Sequence, residues 1–270
     1  MRRTPIAMTL SLVATLFAVS LNGQDQPGRP PITGIAHVRL WSADPHKALN
    51  FYSNILGLTA RDAGCAGMVR PCYIISDHQQ VALAEVTPGS PEPLLAEIAF
   101  ATVDAVGMHR YLQAHSVPVQ AVTRDFNGTM HFSVPDPEGL RIVFVQPPLH
   151  RQFTAPAQQV STHLIHAGFV VHDRAAEDHF YKDLLGFCVY WHGGMKDDET
   201  NWVDMQVPDG TDWLEYILNG FKLNEEPKIG RDGKWQLNLY DPDDTRVELM
   251  EFKPVQKPCC SDYTGPHPQP

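Results

Sequence analysis

The sequence is poor in positive charge. Its 21 lysine and arginine residues are outnumbered by 31 aspartate and glutamate residues, which gives a formal net charge of −10. A protein that binds a nucleic-acid backbone needs a basic surface that releases counterions, and no Lys/Arg cluster supplies one here. We therefore expect no nucleic-acid partner. The hydrophobic fraction of 43% is that of a globular protein, and 270 residues suffice for two domains.

Long apolar runs are also lacking, apart from one at the N-terminus. Arg2 and Arg3 precede an apolar stretch over residues 6–21 that ends among small residues. This pattern is typical of a secretory signal peptide, and the stretch is shorter than a membrane-spanning helix requires. We predict a signal peptide over 1–23, a linker over 24–31, and a secreted or periplasmic protein without membrane contact after cleavage. An uncleaved membrane anchor is the alternative.

Cysteine is scarce, and several catalytic motifs are missing. The five cysteines contain no CxxC pair, which argues against a structural zinc site. In an oxidising compartment Cys65 and Cys72 can close a short loop, while Cys259 and Cys260 can bridge each other or another chain. Free thiols without a function are the alternative for each pair. The sequence has neither a nucleophile elbow nor a phosphate-binding glycine motif, so serine-hydrolase and nucleotide chemistry have no support.

The chain contains an internal repeat, in which one set of motifs recurs at an offset of 129 residues. The first copy holds His37, Asp44, Phe51-Tyr52 and Leu56-Gly57, and the second holds His166, Asp173, Phe180-Tyr181 and Leu185-Gly186. A further pair of segments, DPEGLRIVF at 136–144 and DPDDTRVEL at 241–249, matches at an offset of 105. The second copy therefore lacks about 24 residues in its latter half.

Each copy begins with a pattern that predicts a strand, a helix and further strands. Apolar and polar residues alternate in IAHVRLWSAD, which favours a strand. Asp44 and Asp173 stand where a helix N-cap belongs, and Gly57 and Gly186 where a helix ends. Within the first copy, a fainter second unit of the same kind begins with the strand AEIAFATVD. We predict an α+β fold of βαβββ modules.

The predicted domain boundaries follow from these modules. Residues 32–147 hold two modules, 148–162 form a linker, and 163–252 hold one complete module and the final strands of another. Residues 253–270 form a Pro/Cys-containing tail. The segment missing from the second domain has the length of one strand and one helix.

The motifs IAHVRLWSAD…FYSNILGL and LIHAGFVVHD…FYKDLLGF, with DPEGLRIVF and DPDDTRVELMEF, resemble the vicinal oxygen chelate superfamily. This superfamily includes glyoxalase I, bleomycin and fosfomycin resistance proteins, and extradiol dioxygenases. The resemblance covers nearly all of residues 32–252. It implies tandem βαβββ modules that form an open, cleft-forming sheet, with an incomplete second domain.

In metal-dependent members of this superfamily, the first and last strands of the modules hold a divalent ion in the cleft. In the second domain the resemblance assigns three ligands to His166, Glu215 and Glu248, and Glu248 is also the expected catalytic carboxylate. The fourth ligand would belong to the missing segment. One imidazole and two carboxylates suit Zn, Mn, Fe, Ni or Co. Alternatively, these residues are only the cleft-facing side chains of amphipathic strands.

The first domain offers a weaker ligand set. His37 and Glu97 occupy the two first-strand positions, and Glu85 is a candidate third ligand although it stands one residue out of step with Glu215. Val143 occupies the closing position and cannot bind a metal ion. Arg39, on the same strand as His37, is instead a candidate partner for an anionic ligand.

Two functions remain open at this level. The first is a metal-dependent enzyme that binds a small molecule through two neighbouring oxygens, as a glyoxalase-like lyase or isomerase or a dioxygenase. The glyoxalase-like chemistry is favoured, because the second histidine of extradiol enzymes is not found and Asn238 stands where their signature has a tyrosine. The alternative is a metal-free protein that sequesters a small molecule in degenerate sites. A second chain that covers the exposed sheet edge would make the protein a homodimer.

Overall fold

The computed structural model describes residues 27–62, 65, 71–86, 94–148, 152–218 and 226–270. The predicted signal peptide therefore lies outside the described residues. Within these ranges, no helix is long and apolar enough to cross a membrane.

The described residues form fifteen strands and three helices. The strands are β1 (Ile32–Ser42), β2 (Thr59–Arg61), β3 (Cys72–Ile74), β4 (Gln80–Glu85), β5 (Leu95–Thr102), β6 (Thr123–Arg124), β7 (Met130–Pro135), β8 (Arg141–Gln146), β9 (His166–Val170), β10 (Cys188–Gly193), β11 (Trp202–Gln206), β12 (Trp213–Ile217), β13 (Lys228–Ile229), β14 (Trp235–Tyr240) and β15 (Arg246–Met250). Helix α1 runs as α-helix over Pro45–Leu49 and as π-helix over Asn50–Ile55, α2 spans Ala105–Ala114, and α3 runs as α-helix over Arg174–Glu177 and as π-helix over Asp178–Leu184.

The two module-opening helices begin at the predicted caps. The Asp44 carboxylate accepts hydrogen bonds from the backbone amides of His46 and Lys47, and Asp173 accepts one from Ala176. After each helix, Gly57 and Gly186 have a φ of +72° and +81°. This left-handed conformation favours glycine, and it turns the chain into the next strand.

The first domain is one continuous eight-stranded sheet in the order β2-β3-β4-β1-β5-β8-β7-β6. Strand β5 joins its two modules, because it pairs antiparallel with β1 and parallel with β8. Helix α2 packs on β7 and β8. The sheet therefore has one face covered by helices, and we call the opposite face, which carries His37, Glu97 and Val143, the first cleft.

The second domain is split into two sheets, β10-β11-β12-β9 and β13-β14-β15. In the described part of this domain nothing corresponds to β5 and α2, so β9 and β15 are not joined by a shared strand. The predicted α+β fold with an incomplete second domain is confirmed. That a second chain covers the open edge stays a prediction.

The two domains are joined by a pair of equivalent hydrogen bonds. The buried hydroxyl of Tyr52 in α1 donates to Asp241 Oδ2 of the second domain at 2.9 Å. The hydroxyl of Tyr181 in α3 donates to Asp136 Oδ2 of the first domain at 3.2 Å. Both tyrosines belong to the repeated Phe-Tyr motif and both aspartates to the repeated Asp-Pro motif, so the repeat explains how the domains pack together.

Two cysteine pairs are disulfide-bonded, Cys65 to Cys72 and Cys259 to Cys260, whereas Cys188 is free and exposed. The second bridge belongs to the C-terminal tail, which lies along the second domain. The Thr264 amide donates to the Tyr190 carbonyl at 3.0 Å, and the Trp191 indole donates to the Cys259 carbonyl at 3.2 Å.

Candidate functional site

The second cleft is the face of β9–β12 and β13–β15 that lies opposite helix α3. It encloses a cavity of about 260 Å³, and all three predicted metal ligands line it. Large aromatic side chains, Trp191, Trp202 and Trp213, form part of the wall. The His166 imidazole stacks on the Trp213 indole with a ring-centroid distance of 5.1 Å and an interplanar angle of 6°. The aromatic wall thus holds the imidazole in one orientation.

His166 and Glu248 are brought together although they are far apart in sequence. His166 opens β9, Glu248 lies in the middle of β15, and the distance from Nε2 to Oε2 is 3.3 Å. Burial opposes ionisation of Glu248, but the hydrogen bond from His166 and the charge of Arg246 lower its pKa below the ordinary value. Glu248 is therefore a charged carboxylate at neutral pH, directed at the imidazole.

Glu215 is bound by a different partner. It lies in β12 beside Gly168 of β9, which is two residues from His166. Its Oε2 accepts a hydrogen bond from Arg246 Nη2 at 2.5 Å, and both side chains are largely buried. The structure therefore does not bring Glu215 together with His166 and Glu248 as a third donor, because a guanidinium group neutralises and orients its carboxylate.

Several charged groups of this cleft were not anticipated. Asp204 in β11, Asp232 and Lys234 are buried near one another. Burial raises the pKa of Asp204 well above its usual range and that of Asp232 to about 6, and burial lowers the pKa of Lys234. The Lys234 ammonium lies 4.2 Å from the centroid of the Trp213 ring. Asp204 could have been recognised as a candidate cleft residue, because it is an acidic residue within an otherwise apolar strand. No local sequence pattern indicated that Lys234 is buried in the cleft.

The first cleft holds an ion-pair cluster in place of a ligand set. His37 Nε2 and Glu97 Oε1 are 2.8 Å apart and fully buried, and Arg141 Nε lies 3.0 Å from Glu97 Oε2. Burial would raise the pKa of Glu97, but the His37 hydrogen bond and the arginine charges lower it. Arg39, 3.9 Å from the same carboxylate, belongs to this cluster. Val143 lies in the buried closing position.

Glu85 does not reach the first cleft, so its assignment as a ligand was wrong. It is exposed at the end of β4 and pairs with Ser42. The pairing of β1 with β4 places Ala82 beside Arg39, as the second domain places Glu215 beside Gly168. Ala82 is therefore the structural counterpart of Glu215. Glu85 lies three residues further on, and this odd offset turns its side chain to the other face.

The second cleft supplies some, but not all, of the ligands that a catalytic divalent ion normally has. Two ligands of one ion at bond lengths of about 2.0–2.2 Å are separated by about 3 Å, which matches the His166–Glu248 distance. A catalytic site normally has three protein ligands. Among the described residues, the group of three donors whose ligand atoms lie within 4.8 Å of one another is Asp197, Cys259 and Cys260. The two cysteines of this group are bonded to each other. The second cleft thus supplies two donors.

The sequence of the first domain matches a known family. Residues 34–144 match the model of the Glyoxalase/Bleomycin resistance protein/Dioxygenase superfamily. The match covers the first domain, and it confirms the resemblance to that superfamily inferred from the motifs. No curated protein shows significant similarity to the sequence.

Solved structures with a similar fold include 2,3-dioxygenases. A variant of homoprotocatechuate 2,3-dioxygenase from B. fuscum is 19% identical over 83% of this chain and 72% of that chain, with a TM-score of 0.60. The 2,3-dioxygenase LapB from Pseudomonas sp. KL28 is 14% identical over 90% of this chain and 96% of that chain, with a TM-score of 0.63. At these identities the likeness shows the fold alone.

Proposed function

We propose that the protein is an exported enzyme whose second cleft binds a divalent metal ion through His166 and Glu248. The substrate would be a small molecule with two neighbouring oxygens, and the chemistry that of a glyoxalase-like lyase or isomerase or of a dioxygenase. The observation that carries the proposal is the 3.3 Å approach of these two side chains in a cavity that is open to a ligand. The similarity in fold to 2,3-dioxygenases supports it.

Each of these residues would have a separate role in the reaction. A bound divalent ion acts as a Lewis acid that stabilises negative charge on substrate oxygens. The His166 imidazole is oriented by its stacking on Trp213. The Glu248 carboxylate, kept charged by its neighbours, can accept a proton at an Oε atom. The Lys234 ammonium, which has no hydrogen-bond partner among the described residues, adds positive charge to this cleft, and this favours an anionic substrate or intermediate.

A metal-free binding protein is the second candidate, and one contact favours it. The Arg246–Glu215 ion pair occupies the carboxylate that would otherwise serve as the third donor. A cleft with two donors and the ammonium of Lys234, which has no hydrogen-bond partner among the described residues, can bind a small anionic molecule without a metal ion. In that case the His166–Glu248 pair would only position the ligand.

Elemental analysis separates the two candidates. We expect about one transition-metal ion per chain in the wild type and little in a Glu248→Gln variant, because the amide oxygen is a weaker ligand than the carboxylate. Glu251→Gln, a change at an exposed position at the end of β15, is the matched control and should keep the wild-type metal content. Equal metal in wild type and Glu248→Gln, or none in either, would favour the metal-free protein.

We also propose that the chain is exported, which is supported by its cysteines. The pairs Cys65–Cys72 and Cys259–Cys260 are disulfide-bonded. Structural disulfides persist in oxidising compartments and are rare in the cytosol.

A further inference from the structure

A second, larger cavity lies between the two domains and meets the second cleft at His166, Arg246 and Glu248. Its volume is about 470 Å³, which falls in the range of small-molecule sites. Most of its wall is apolar, and representative lining residues are Leu40, Tyr52, Leu58, Ile165, Val247 and Leu249. The cavity therefore extends from the helix-covered side of β1 to the edges of β9 and β15.

The internal repeat explains why this space is empty. In the complete first domain, β5 carries Phe100, whose ring contacts Tyr181 and Phe187 of the second domain at centroid distances of 6.5 and 5.2 Å. At the offset of 129 residues, the counterparts of Tyr181 and Phe187 are Tyr52 and Leu58, which line the cavity. The second domain has no counterpart of β5 among the described residues. The position equivalent to the Phe100 ring is thus open.

An apolar space of this size is unfavourable if it stays empty. The free-energy cost of unfilled apolar space rises with its volume, and water against the apolar part of this wall finds no hydrogen-bond partner. An apolar ligand would restore the contacts that Phe100 makes in the other half of the molecule.

The polar groups at the rim exclude a charged ligand. His166 contacts Glu248, Arg246 binds Glu215, and His163 binds Asp212 at 2.8 Å. A charged ligand would find no free partner at these groups, so its desolvation would not be compensated. We propose that this cavity binds one uncharged aromatic molecule.

Equilibrium dialysis of the full chain with naphthalene tests the proposal. The wild type should bind one naphthalene per chain, and 2-naphthoate should bind at least about tenfold more weakly, because its carboxylate gains no cation. A Val247→Trp variant fills the cavity from β15 and should weaken naphthalene binding at least about tenfold. Val170→Trp places the same side chain at an exposed position of β9 outside the cavity, and it should change binding less than about twofold.

Further measurements separate loss of folding, dimerisation and metal binding from loss of the ligand site. If circular dichroism shows that Val247→Trp does not fold, Leu58→Trp blocks the cavity from the opposite wall and should have the same effect. No binding by the wild type, or equal binding by a folded blocked variant, would overturn the proposal. Naphthalene binding that disappears as the chain dimerises would also overturn it, since a second copy would then be the occupant. Elemental analysis of the same samples reports on the metal site separately.

Discussion

Glu177 is a carboxyl group buried where the two domains meet, and we expect it to impose a pH dependence on stability. It lies at the start of α3 with no exposed surface, and its Oε1 accepts a hydrogen bond from the Glu138 amide at 3.2 Å. Its Oε2 has no partner in the described part of the chain. Burial, with the nearby charge of Asp136, raises the pKa of Glu177 from 4.5 to about 8. The first domain has Ala48 at the equivalent position, also buried.

The size of the effect follows from this pKa. Because the folded state binds the proton more tightly than the unfolded state, the contribution of Glu177 is most favourable below pH 4.5. It declines as the pH rises towards 8 and is constant above that. The interval of 3.5 pH units, from 4.5 to about 8, at about 1.4 kcal/mol per unit, corresponds to an upper limit of about 5 kcal/mol. A Glu177→Gln variant should lose this dependence and keep the hydrogen bond to Glu138.

Urea unfolding of the full chain between pH 5 and pH 9 measures the effect. The free energy of unfolding of Glu177→Gln minus that of the wild type should rise with pH, by several kcal/mol over this range. Asp183→Asn, at an exposed position of the same helix, is the control and should show a difference that is small at every pH. A difference between Glu177→Gln and wild type that does not change with pH would refute the reasoning.

Three further predictions concern the domain contact, the first disulfide and the N-terminus. Tyr52→Phe and Tyr181→Phe should each lower the free energy of unfolding by about 1.5–3 kcal/mol, because each removes a hydrogen bond to a buried carboxylate. If urea unfolding shows an effect for only one of the two variants, the two hydrogen bonds do not have equivalent roles. Cys65→Ser should open the short loop to Cys72 and cost about 2–3 kcal/mol, and thermal unfolding should show a smaller effect of reductant than in the wild type. N-terminal sequencing should find cleavage near residues 20–23, whereas an abundant soluble cytoplasmic form that keeps the first residue would argue against export.

The architecture was largely predictable because it depends on local patterns that occur twice. The N-cap aspartates and the glycines after the helices are recognised from neighbouring residues, so Asp44, Asp173, Gly57 and Gly186 marked the helix ends correctly. The π-helical continuation of α1 and α3 was not predictable, since the spacing of apolar residues does not distinguish it from α-helix.

The candidate site was predictable only in part. Strand alternation placed His166 and Glu248 on one face of their strands, and the structure brings them together. The distance of Glu85 from its preceding glycine did not reveal the strand register, which depends on loop length and pairing. The contact between Arg246 and Glu215 was also missed, although Arg246 stands two residues before Glu248, because it crosses from one sheet to another.

The sequence by itself determined the module order, the missing strand and helix, and the choice of donors, because each of these follows from residue spacing along the chain. Only the tertiary structure decided which donors meet, which carboxylate an arginine neutralises, and where the missing unit leaves a cavity. The physical reason is that these features depend on distances between residues on different strands and domains. Tyr52 illustrates both what the sequence determines and what only the tertiary structure decides. Its place in the motif was evident from the repeat, whereas its hydrogen bond to Asp241 and its position in the cavity wall arise from packing.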